Sequence, residues 1–279
     1  MEEARGLKSK QLFPAIFSRH ATAYQRRLDG IMARGEARGR QRVIELLDVK
    51  AGMRVLDLAC GPGTLTRPLA GQVAPDGEVV GVDLAPGMID LARAAGIAHA
   101  RFEVMDIEHL GFADASFDAA ACGHGLQFVP DLSRALREAH RVLRPAARFA
   151  ASVPLNGGKQ RPWVLLDEVV DRWLPPAPVA MDQAATRTTV ADPDVFRDQI
   201  LAAGFAEAAV EVIEERVHWQ SAEQLVELCM SWWDLASRVE ALPAERRQAF
   251  IDDAIATVRR EHPGAIETVG RNHVAFASA

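Results

Sequence analysis

The chain has 279 residues, of which 49% are hydrophobic and 25% are charged, and its formal net charge is −6. This is enough apolar material for one large domain, or for a core with a subdomain. The acidic balance argues against nucleic acid as the main partner, because nucleic-acid-binding domains normally carry a basic excess.

The first ten residues, MEEARGLKSK, lack the apolar core of a secretory signal. No uncharged apolar run reaches the roughly 18 residues that a membrane helix needs. The three cysteines, Cys60, Cys122 and Cys229, are too few and too scattered for a disulfide framework. We therefore expect a cytoplasmic protein without a membrane span.

The first predicted elements are helical. Apolar residues at helical spacing predict an amphipathic helix within residues 14–34, as part of an N-terminal helical cap at 1–40. The arginine-rich stretch RGEARGRQR, residues 34–42, could touch an anion, but we expect it to be a solvated helix face and linker. A short helix that ends in Leu46 and Leu47 then leads into the first strand.

Residues 41–153 alternate between strands and helices. The predicted strands are MRVLDLAC, GEVVGVDL, ARFEVMDI, SFDAAACG and ARFAASV. In the helix before the last of these, Asp131 is placed to cap the start, and Pro145 is placed to stop the helix. This alternation predicts a Rossmann-like α/β fold with a parallel, doubly wound sheet.

The second half has a different composition. An insertion at 154–204 is rich in proline, glycine and tryptophan, and 205–279 contains closing strands with inserted lid helices at about 219–262. The chain has five tryptophans, which are Trp163, Trp173, Trp219, Trp232 and Trp233. Two roles remain open for these aromatic residues: they could roof a pocket, or they could fill a core.

A glycine loop follows the first strand in VLDLACGPGTLT. A phosphate-binding P-loop is excluded, because Gly63 is followed by Thr64 rather than by lysine. A dinucleotide fingerprint, Gly-x-Gly-x-x-Gly, fits Gly61 and Gly63 but has Thr66 at its third glycine position. It also leaves Asp57 unexplained, since this acid would repel a pyrophosphate.

A ligand with positive charge and no phosphate fits better, and S-adenosylmethionine is such a ligand. Asp57 can attract its ammonium group, and Gly61 and Gly63 let the backbone approach its methionine part. Asp83 ends the second strand, where it can accept hydrogen bonds from ribose hydroxyls. Asp106 ends the third strand and can accept from the adenine amino group. Apolar contacts to the adenine faces are expected from Met88 and Ile107.

These motifs resemble those of class I S-adenosylmethionine-dependent methyltransferases. The segments that carry the resemblance are VLDLACGPGTLT, VVGVDLAPGMIDLAR, FEVMDIEHLGFADASFDAAAC and ALREAHRVLRP. The most similar branch is the ubiquinone/menaquinone-biosynthesis type and its small-molecule relatives, over about residues 40 to 153. The resemblance implies a mostly parallel seven-stranded sheet with an antiparallel last strand and a helical lid.

The resemblance also implies roles for individual residues. The residues that would surround the cofactor are Asp57, Ala59, Gly61, Gly63, Asp83, Leu84, Met88, Asp106, Ile107 and Gly123. Tyr24, on the N-terminal helix, would lie near the methyl donor. Two departures from the family pattern are Pro145-Ala146-Ala147, where Pro-Gly-Gly is usual, and CGHGLQF after the fourth strand.

Methyl transfer from a sulfonium is an in-line displacement, so proximity and orientation can supply much of the catalysis. The candidate catalytic residues are His124, Tyr24 and Gln127, with His124 as the candidate base. The histidine and cysteine spacings predict no metal site. The expected partner is a small apolar or aromatic methyl acceptor, and the chain is compatible with a homodimer. Two alternatives remain open, an NAD-type oxidoreductase and a protein that binds S-adenosylmethionine without methylating.

Overall fold

The computed structural model describes residues 8–155, 160–177, 181–230 and 232–279. The predicted cap residues 1–7 lie outside the described residues, as do 156–159 and 178–180 of the predicted insertion and the side chain of Trp233. In the part of the chain that is described, no helix combines the length and the apolar content needed to cross a lipid bilayer.

Seven strands form one sheet among the described residues. They are β1 (Arg54–Leu58), β2 (Glu78–Asp83), β3 (Ala100–Val104), β4 (Phe117–Gly123), β5 (Leu143–Leu155), β6 (Glu207–Trp219) and β7 (Ile266–Ser278). Their order is β3-β2-β1-β4-β5-β7-β6. Strands β1 to β5 pair in parallel, and β7 runs antiparallel to both β5 and β6. The predicted fold class is therefore confirmed.

Twelve α-helices flank this sheet within the same described ranges. They are α1 (Ser9–Arg19), α2 (Ala21–Ala33), α3 (Arg38–Leu47), α4 (Thr66–Val73), α5 (Pro86–Ala94), α6 (Leu132–Val142), α7 (Arg161–Trp173), α8 (Ala184–Ala191), α9 (Pro193–Ala202), α10 (Ala222–Cys229), α11 (Trp233–Glu240) and α12 (Ala244–Glu261).

Apolar side chains cover both faces of the sheet. One face packs in a core cluster with Leu136 of α6 and Phe196 of α9, and the other packs in a cluster with Val43 of α3 and Leu69 of α4. The central strands read as continuous apolar runs because parallel strands are buried on both sides. Asp57 interrupts such a run in β1, and it is only 1% exposed.

The N-terminal segment consists of two helices rather than the single predicted one. Helix α1 ends at Arg19 and α2 begins at Ala21, with His20 between them at φ −105° and ψ 15°. Helix α1 contacts α5, where the backbone N–H of Gly87 donates to the hydroxyl of Ser18 at 3.1 Å. This contact fixes α1 near the carboxyl ends of the first two strands.

One residue within β5 has an unusual backbone conformation. Ala146 has a φ of +63°, in the left-handed region. Its N–H donates to the carbonyl of Ala279 at 2.7 Å, so a contact with the end of β7 holds the conformation. An alanine is thus retained in a region of backbone space that glycine adopts more easily.

Candidate functional site

One cavity of about 280 Å³ lies at the carboxyl ends of β1, β2, β3 and β4. This is the edge at which open α/β sheets bind their ligands. Helices α1, α2 and α3 contribute the opposite wall through Lys10, Phe13, Tyr24, Arg27 and Arg40. The cavity is therefore enclosed between the strand ends and the N-terminal helices.

Asp57 lies at the bottom of the cavity and is almost fully buried. The hydroxyl of Thr66 donates to its Oδ2 at 2.6 Å. The pKa of Asp57 is raised to about 7, chiefly by burial and to a smaller extent by the charge of Asp83, while the hydrogen bond from Thr66 acts to lower it. A cation in the cavity would shift the balance toward the ionised carboxylate.

Asp83 holds the glycine loop in place. Its Oδ2 accepts from the N–H of Gly61 at 2.9 Å, and its Oδ1 accepts from the N–H of Ala85 at 2.8 Å. Burial raises the pKa of this carboxyl group above its usual value, although the backbone donors lower it. Each carboxylate oxygen retains a second lone pair, so Asp83 can still accept hydrogen bonds from a ligand.

The two loop glycines face different surroundings. Gly61 lines the cavity at φ +55°, and a Cβ at that position would meet no atom within 4 Å. Gly63, at φ +88°, is not among the cavity-lining residues, and a Cβ there would lie 3.0 Å from Ile97 and 3.3 Å from Phe102. The structure therefore supports the expected ligand approach at Gly61, whereas Gly63 permits packing against Ile97 and Phe102.

Asp106 is already paired in the structure. Lys10 of α1 contacts Oδ2 of Asp106 and Oε2 of Glu108, each at 2.6 Å. Burial disfavours the charged form of Asp106, but the hydrogen bonds from Lys10 and from the backbone N–H of Glu108 outweigh it and lower the pKa. The predicted adenine contact thus shares its carboxylate with a lysine that the sequence did not indicate.

The same acids form a three-residue group with potential metal ligands. One ligand atom from each of Asp106, Glu108 and His109 lies within 4.8 Å of the other two. The Lys10 ammonium neutralises two members of this group. Acid groups that are compensated by lysine give no support for a metal ion.

Apolar side chains form two walls of the cavity. Beside the three acids lie Ala59, Leu84, Met88 and Ile107, as predicted from the motifs. The opposite wall is aromatic: the Phe13 and Phe128 rings are 4.8 Å apart, and the Phe17 ring stands edge-on to Phe128 at 5.3 Å. This wall was not predicted, because aromatic residues at helical spacing are equally typical of a core.

His124 lies on the cavity wall after β4, together with Gly123 and Gln127. Its φ is +66°, and its N–H donates to the carbonyl of Ser152 at 2.9 Å. Burial lowers the pKa of His124 well below its ordinary value, and the nearby charges of Arg40 and Arg27 act in the same direction. Its Nε2 is buried without a hydrogen-bond partner. The imidazole is therefore neutral, and its low pKa makes it a weak base in the free protein.

Gln127 is oriented by the backbone of the same turn. Its Nε2 donates to the carbonyl of His124 at 2.9 Å, while its Oε1 is buried and has no hydrogen-bond partner. An unpaired buried acceptor carries a desolvation cost, which a donor on a ligand would relieve. Gln127 therefore suits a binding or orienting role better than proton transfer, because an amide does not titrate in this range.

Tyr24 lines the cavity from α2 and has two arginine neighbours. Nη2 of Arg40 donates to its hydroxyl at 3.3 Å, and the guanidinium of Arg27 lies over its ring, 5.0 Å from the centroid. The predicted solvated role of residues 34–42 is wrong for Arg40, which is 7% exposed. A sequence signal existed, because Arg40 shares the apolar face of α3 with Val43 and Leu47 at i+3 and i+7.

The tryptophans mostly fill a core. Among the four whose side chains are described, Trp232 lines the cavity, whereas Trp163, Trp173 and Trp219 belong to a cluster with α7, α10 and α12. The Nε1 of Trp219 donates to the hydroxyl of Thr268 at 2.9 Å within that cluster. The cover of the cavity comes chiefly from the N-terminal helices rather than from the aromatic helices of the second half.

The cavity residues fit S-adenosylmethionine in charge and polarity. The carboxyl group of Asp57 is buried, and a cationic ligand would stabilise its ionised form. The backbone at Gly61 leaves space for close approach of a ligand. The hydroxyl of Thr64 is buried in the cavity wall without a partner, so a polar ligand group can satisfy it. The apolar wall around Met88 suits the faces of an adenine ring.

Comparison with known proteins gives the same assignment. Residues 56–151 match the methyltransferase domain family. A demethylmenaquinone methyltransferase from Lactobacillus johnsonii is 39% identical over 150 residues, which are 50% of this chain and 61% of that protein. The chain thus spans about three fifths of the length of this relative. These matches to methyltransferases do not favour the alternative of an NAD-type oxidoreductase.

Two solved structures share the fold. The YcgJ protein from Bacillus subtilis superimposes with a TM-score of 0.52 at 20% identity, over 86% of this chain and 97% of that one. A phosphoethanolamine N-methyltransferase from Haemonchus contortus, in complex with S-adenosyl-L-methionine, has a TM-score of 0.51 at 16% identity, over 86% of this chain and 51% of that one. Together with the shared fold, the family match identifies residues 56–151 as a methyltransferase domain.

Proposed function

We propose that the chain transfers a methyl group from S-adenosylmethionine to a small organic acceptor. The observation that carries this proposal is the buried carboxylate of Asp57 in the same cavity as Asp83 and Asp106, at the ends of neighbouring strands. Such a group of acids suits a cationic ligand that carries a ribose and an adenine, and it opposes a ligand with a pyrophosphate.

Each acid would hold a different part of the cofactor. Asp57 would bind the ammonium group, Asp83 would accept from the ribose hydroxyls, and Asp106 would accept from the adenine amino group. Because Lys10 already contacts Asp106 at 2.6 Å, the lysine must share this carboxylate or move aside when adenine binds. When bound, the cofactor supplies an electrophilic methyl group on its sulfonium.

The protein contributes orientation, exclusion of water and a proton acceptor. Phe13, Phe17 and Phe128 close the apolar side of the cavity, which limits the access of water. His124, held neutral by burial, can take the proton from an acceptor hydroxyl or amine through its unpaired Nε2. A neutral base is useful only when the nucleophile must lose a proton, as an un-ionised phenol must.

The acceptor is proposed to be a small aromatic or other apolar ring compound. The aromatic wall of the cavity, which includes Phe128 and Trp232, supports this size and polarity. The Lactobacillus johnsonii relative is named as a demethylmenaquinone methyltransferase. Cys60 and Cys122 are buried thiols rather than disulfides, which agrees with the cytoplasmic location that we propose.

The proposal is tested in two stages. Calorimetry with S-adenosylhomocysteine measures cofactor binding, with Asp57→Asn as the variant expected to bind less tightly. Transfer of label from methyl-tritiated S-adenosylmethionine to phenols, hydroquinones and naphthols then tests catalysis. Absence of cofactor binding would overturn the whole proposal, whereas binding without transfer to any acceptor in the panel would favour a non-methylating binder.

A further inference from the structure

We propose that the cavity binds a negatively charged oxygen group of the methyl acceptor, a carboxylate or a phenolate, between Arg27 and Arg40. This inference rests on the proposed function and specifies the chemical class of its acceptor. It concerns the part of the cavity that is lined by α2, α3 and the turn after β4. We call this part the acceptor half, and its lining includes Tyr24, Arg27, Arg40, His124 and Trp232.

Arg40 is the first of the two cations. It projects from α3, lines the cavity and is 7% exposed. Its guanidinium donates a hydrogen bond to the neutral hydroxyl of Tyr24 at 3.3 Å. Among the described residues, no carboxylate oxygen lies within 4.0 Å of its guanidinium nitrogens. A permanently charged group is therefore held inside the protein with one long hydrogen bond to a neutral partner.

Arg27 is the second cation. It projects from α2 into the same cavity, and its Nη1 is closed off from solvent without any hydrogen-bond partner. Burial lowers the pKa of Arg27, and the charge of Arg40 contributes in the same direction, so the two guanidinium groups are close enough to repel each other. Within the described chain, this arginine also lacks a carboxylate within 4.0 Å.

Two arginines on the nearby surface, unlike Arg27 and Arg40, have carboxylate partners. Arg34 contacts Glu36 at 2.7 Å, and Arg42 contacts Glu211 at 2.6 Å, although both are partly exposed to water. Water already stabilises such exposed charges, whereas a buried charge needs a partner far more. The arginines that most need an anion are thus those that face the cavity.

A sulfonium in this cavity would add a further positive charge. The two guanidinium groups would oppose its binding, whereas the three acids of the cavity favour it, and an anion in the acceptor half would neutralise the arginines. The neutral state of His124 agrees with this arrangement, because burial and the charges of Arg40 and Arg27 keep its pKa low. An acceptor oxyanion would satisfy the buried N–H groups and balance the charge, as charge-assisted hydrogen bonds to arginine do.

The test measures binding rather than turnover. Protein saturated with S-adenosylhomocysteine is titrated by calorimetry with 1-hydroxy-2-naphthoate and with its neutral amide, and separately with 4-nitrophenolate and with nitrobenzene. We expect the anion to bind at least about tenfold more tightly than its neutral match in one pair. The pair that discriminates identifies the group as a carboxylate or a phenolate.

Substitutions then test whether Arg27 and Arg40 cause the tighter binding of the anion. Arg40→Met and Arg27→Met should each reduce the ratio of the two affinities, anion to neutral match, to below about threefold. Arg26 is an exposed arginine on α2, beside Arg27, and Arg26→Met should leave this ratio unchanged. If either cavity variant misfolds and loses S-adenosylhomocysteine binding, the inference is judged only by how tightly the native protein binds each anion and its neutral match. Equal binding of anion and neutral match in both pairs, or no binding of either, overturns this inference. Failure to bind S-adenosylhomocysteine would instead overturn the proposed function.

Discussion

The hydroxyl of Thr66 donates a 2.6 Å hydrogen bond to the buried carboxylate of Asp57. Thr66 occupies the position at which a dinucleotide-binding loop has its third glycine. The residue that departs from that fingerprint therefore orients the acid that the fingerprint cannot explain. This pair gives the loop a preference for cations.

Cofactor affinity should increase with pH around neutrality. Burial raises the pKa of Asp57 to about 7, so the carboxyl group of the free protein is half protonated there. The ammonium of a bound cofactor favours the ionised form, so binding releases a proton. From about pH 6 to about pH 8, the Kd for S-adenosylhomocysteine should fall about tenfold.

Calorimetry in two buffers with different ionisation enthalpies measures both the Kd and the proton released. Asp57→Asn is the control, and it should bind weakly with no dependence on pH in this range. A native affinity that is constant with pH would show that Asp57 does not bind the ammonium.

Thr66→Val should shift that pH profile toward alkaline values. The hydroxyl of Thr66 stabilises the ionised carboxylate and so lowers the pKa of Asp57. A hydrogen bond to a charged group contributes about 1.5–3 kcal/mol, which corresponds to roughly one to two pH units. The midpoint of the calorimetric profile should move by about one unit, and Thr66→Ser should restore it. An unshifted midpoint in the folded valine variant would contradict the assignment.

Asp83→Ala should weaken binding of S-adenosylhomocysteine by about 1.5–3 kcal/mol, the contribution of hydrogen bonds to a charged acceptor. The Kd should therefore rise roughly 10- to 150-fold. Asp90→Ala, an exposed acid on α5, is the matched control and should bind normally. If the Kd of a folded Asp83 variant stays within about twofold of the native value, the ribose assignment fails.

Lys10→Met should loosen α1. The ammonium of Lys10 contacts Asp106 and Glu108 at 2.6 Å each, and Glu108 is almost fully buried. Loss of this pairing should increase hydrogen exchange of the α1 amides about threefold to tenfold, measured by mass spectrometry without ligand. Lys8→Met removes an exposed lysine just before the helix and should have no effect. Unchanged exchange in Lys10→Met would mean that apolar packing alone holds α1.

His124→Asn should lower turnover with little effect on cofactor affinity. Removal of a general base costs about 10²- to 10⁴-fold in rate, and asparagine tolerates the positive φ of +66° at this position. His99→Asn is a close control, because His99 is exposed and has φ +59°. Turnover is measured with an acceptor that the native protein methylates. A fall of less than about threefold would restrict His124 to a contact role.

The strand-end acids could be predicted because two constraints act on them locally. A carboxylate such as Asp57 or Asp83 at the end of a buried parallel strand has to lie at the ligand-binding edge. The sequence of alternating strands and helices then places these acids side by side. The parallel pairing of the first five strands and the cofactor class follow from the same short-range pattern.

The acceptor half could not be predicted in this way. Arg27, Arg40 and Lys10 lie on helices whose position depends on long-range packing, such as the contact of Ser18 with Gly87. The break at His20, which lets α1 and α2 take separate directions, has no proline or glycine to indicate it. Composition favoured solvent for an arginine-rich stretch, although the spacing of Arg40 with Val43 indicated a buried face.

The arrangement of the N-terminal helices has an evolutionary consequence. The methyltransferase domain match covers residues 56–151, but Tyr24, Arg27, Arg40 and Trp232 lie outside it. Under the proposed function, most of the acceptor half, apart from His124, therefore lies outside the strands that would hold the methyl donor. Substitutions at Tyr24, Arg27 or Arg40 would then change which acceptors bind, while the strand-end acids stay in place.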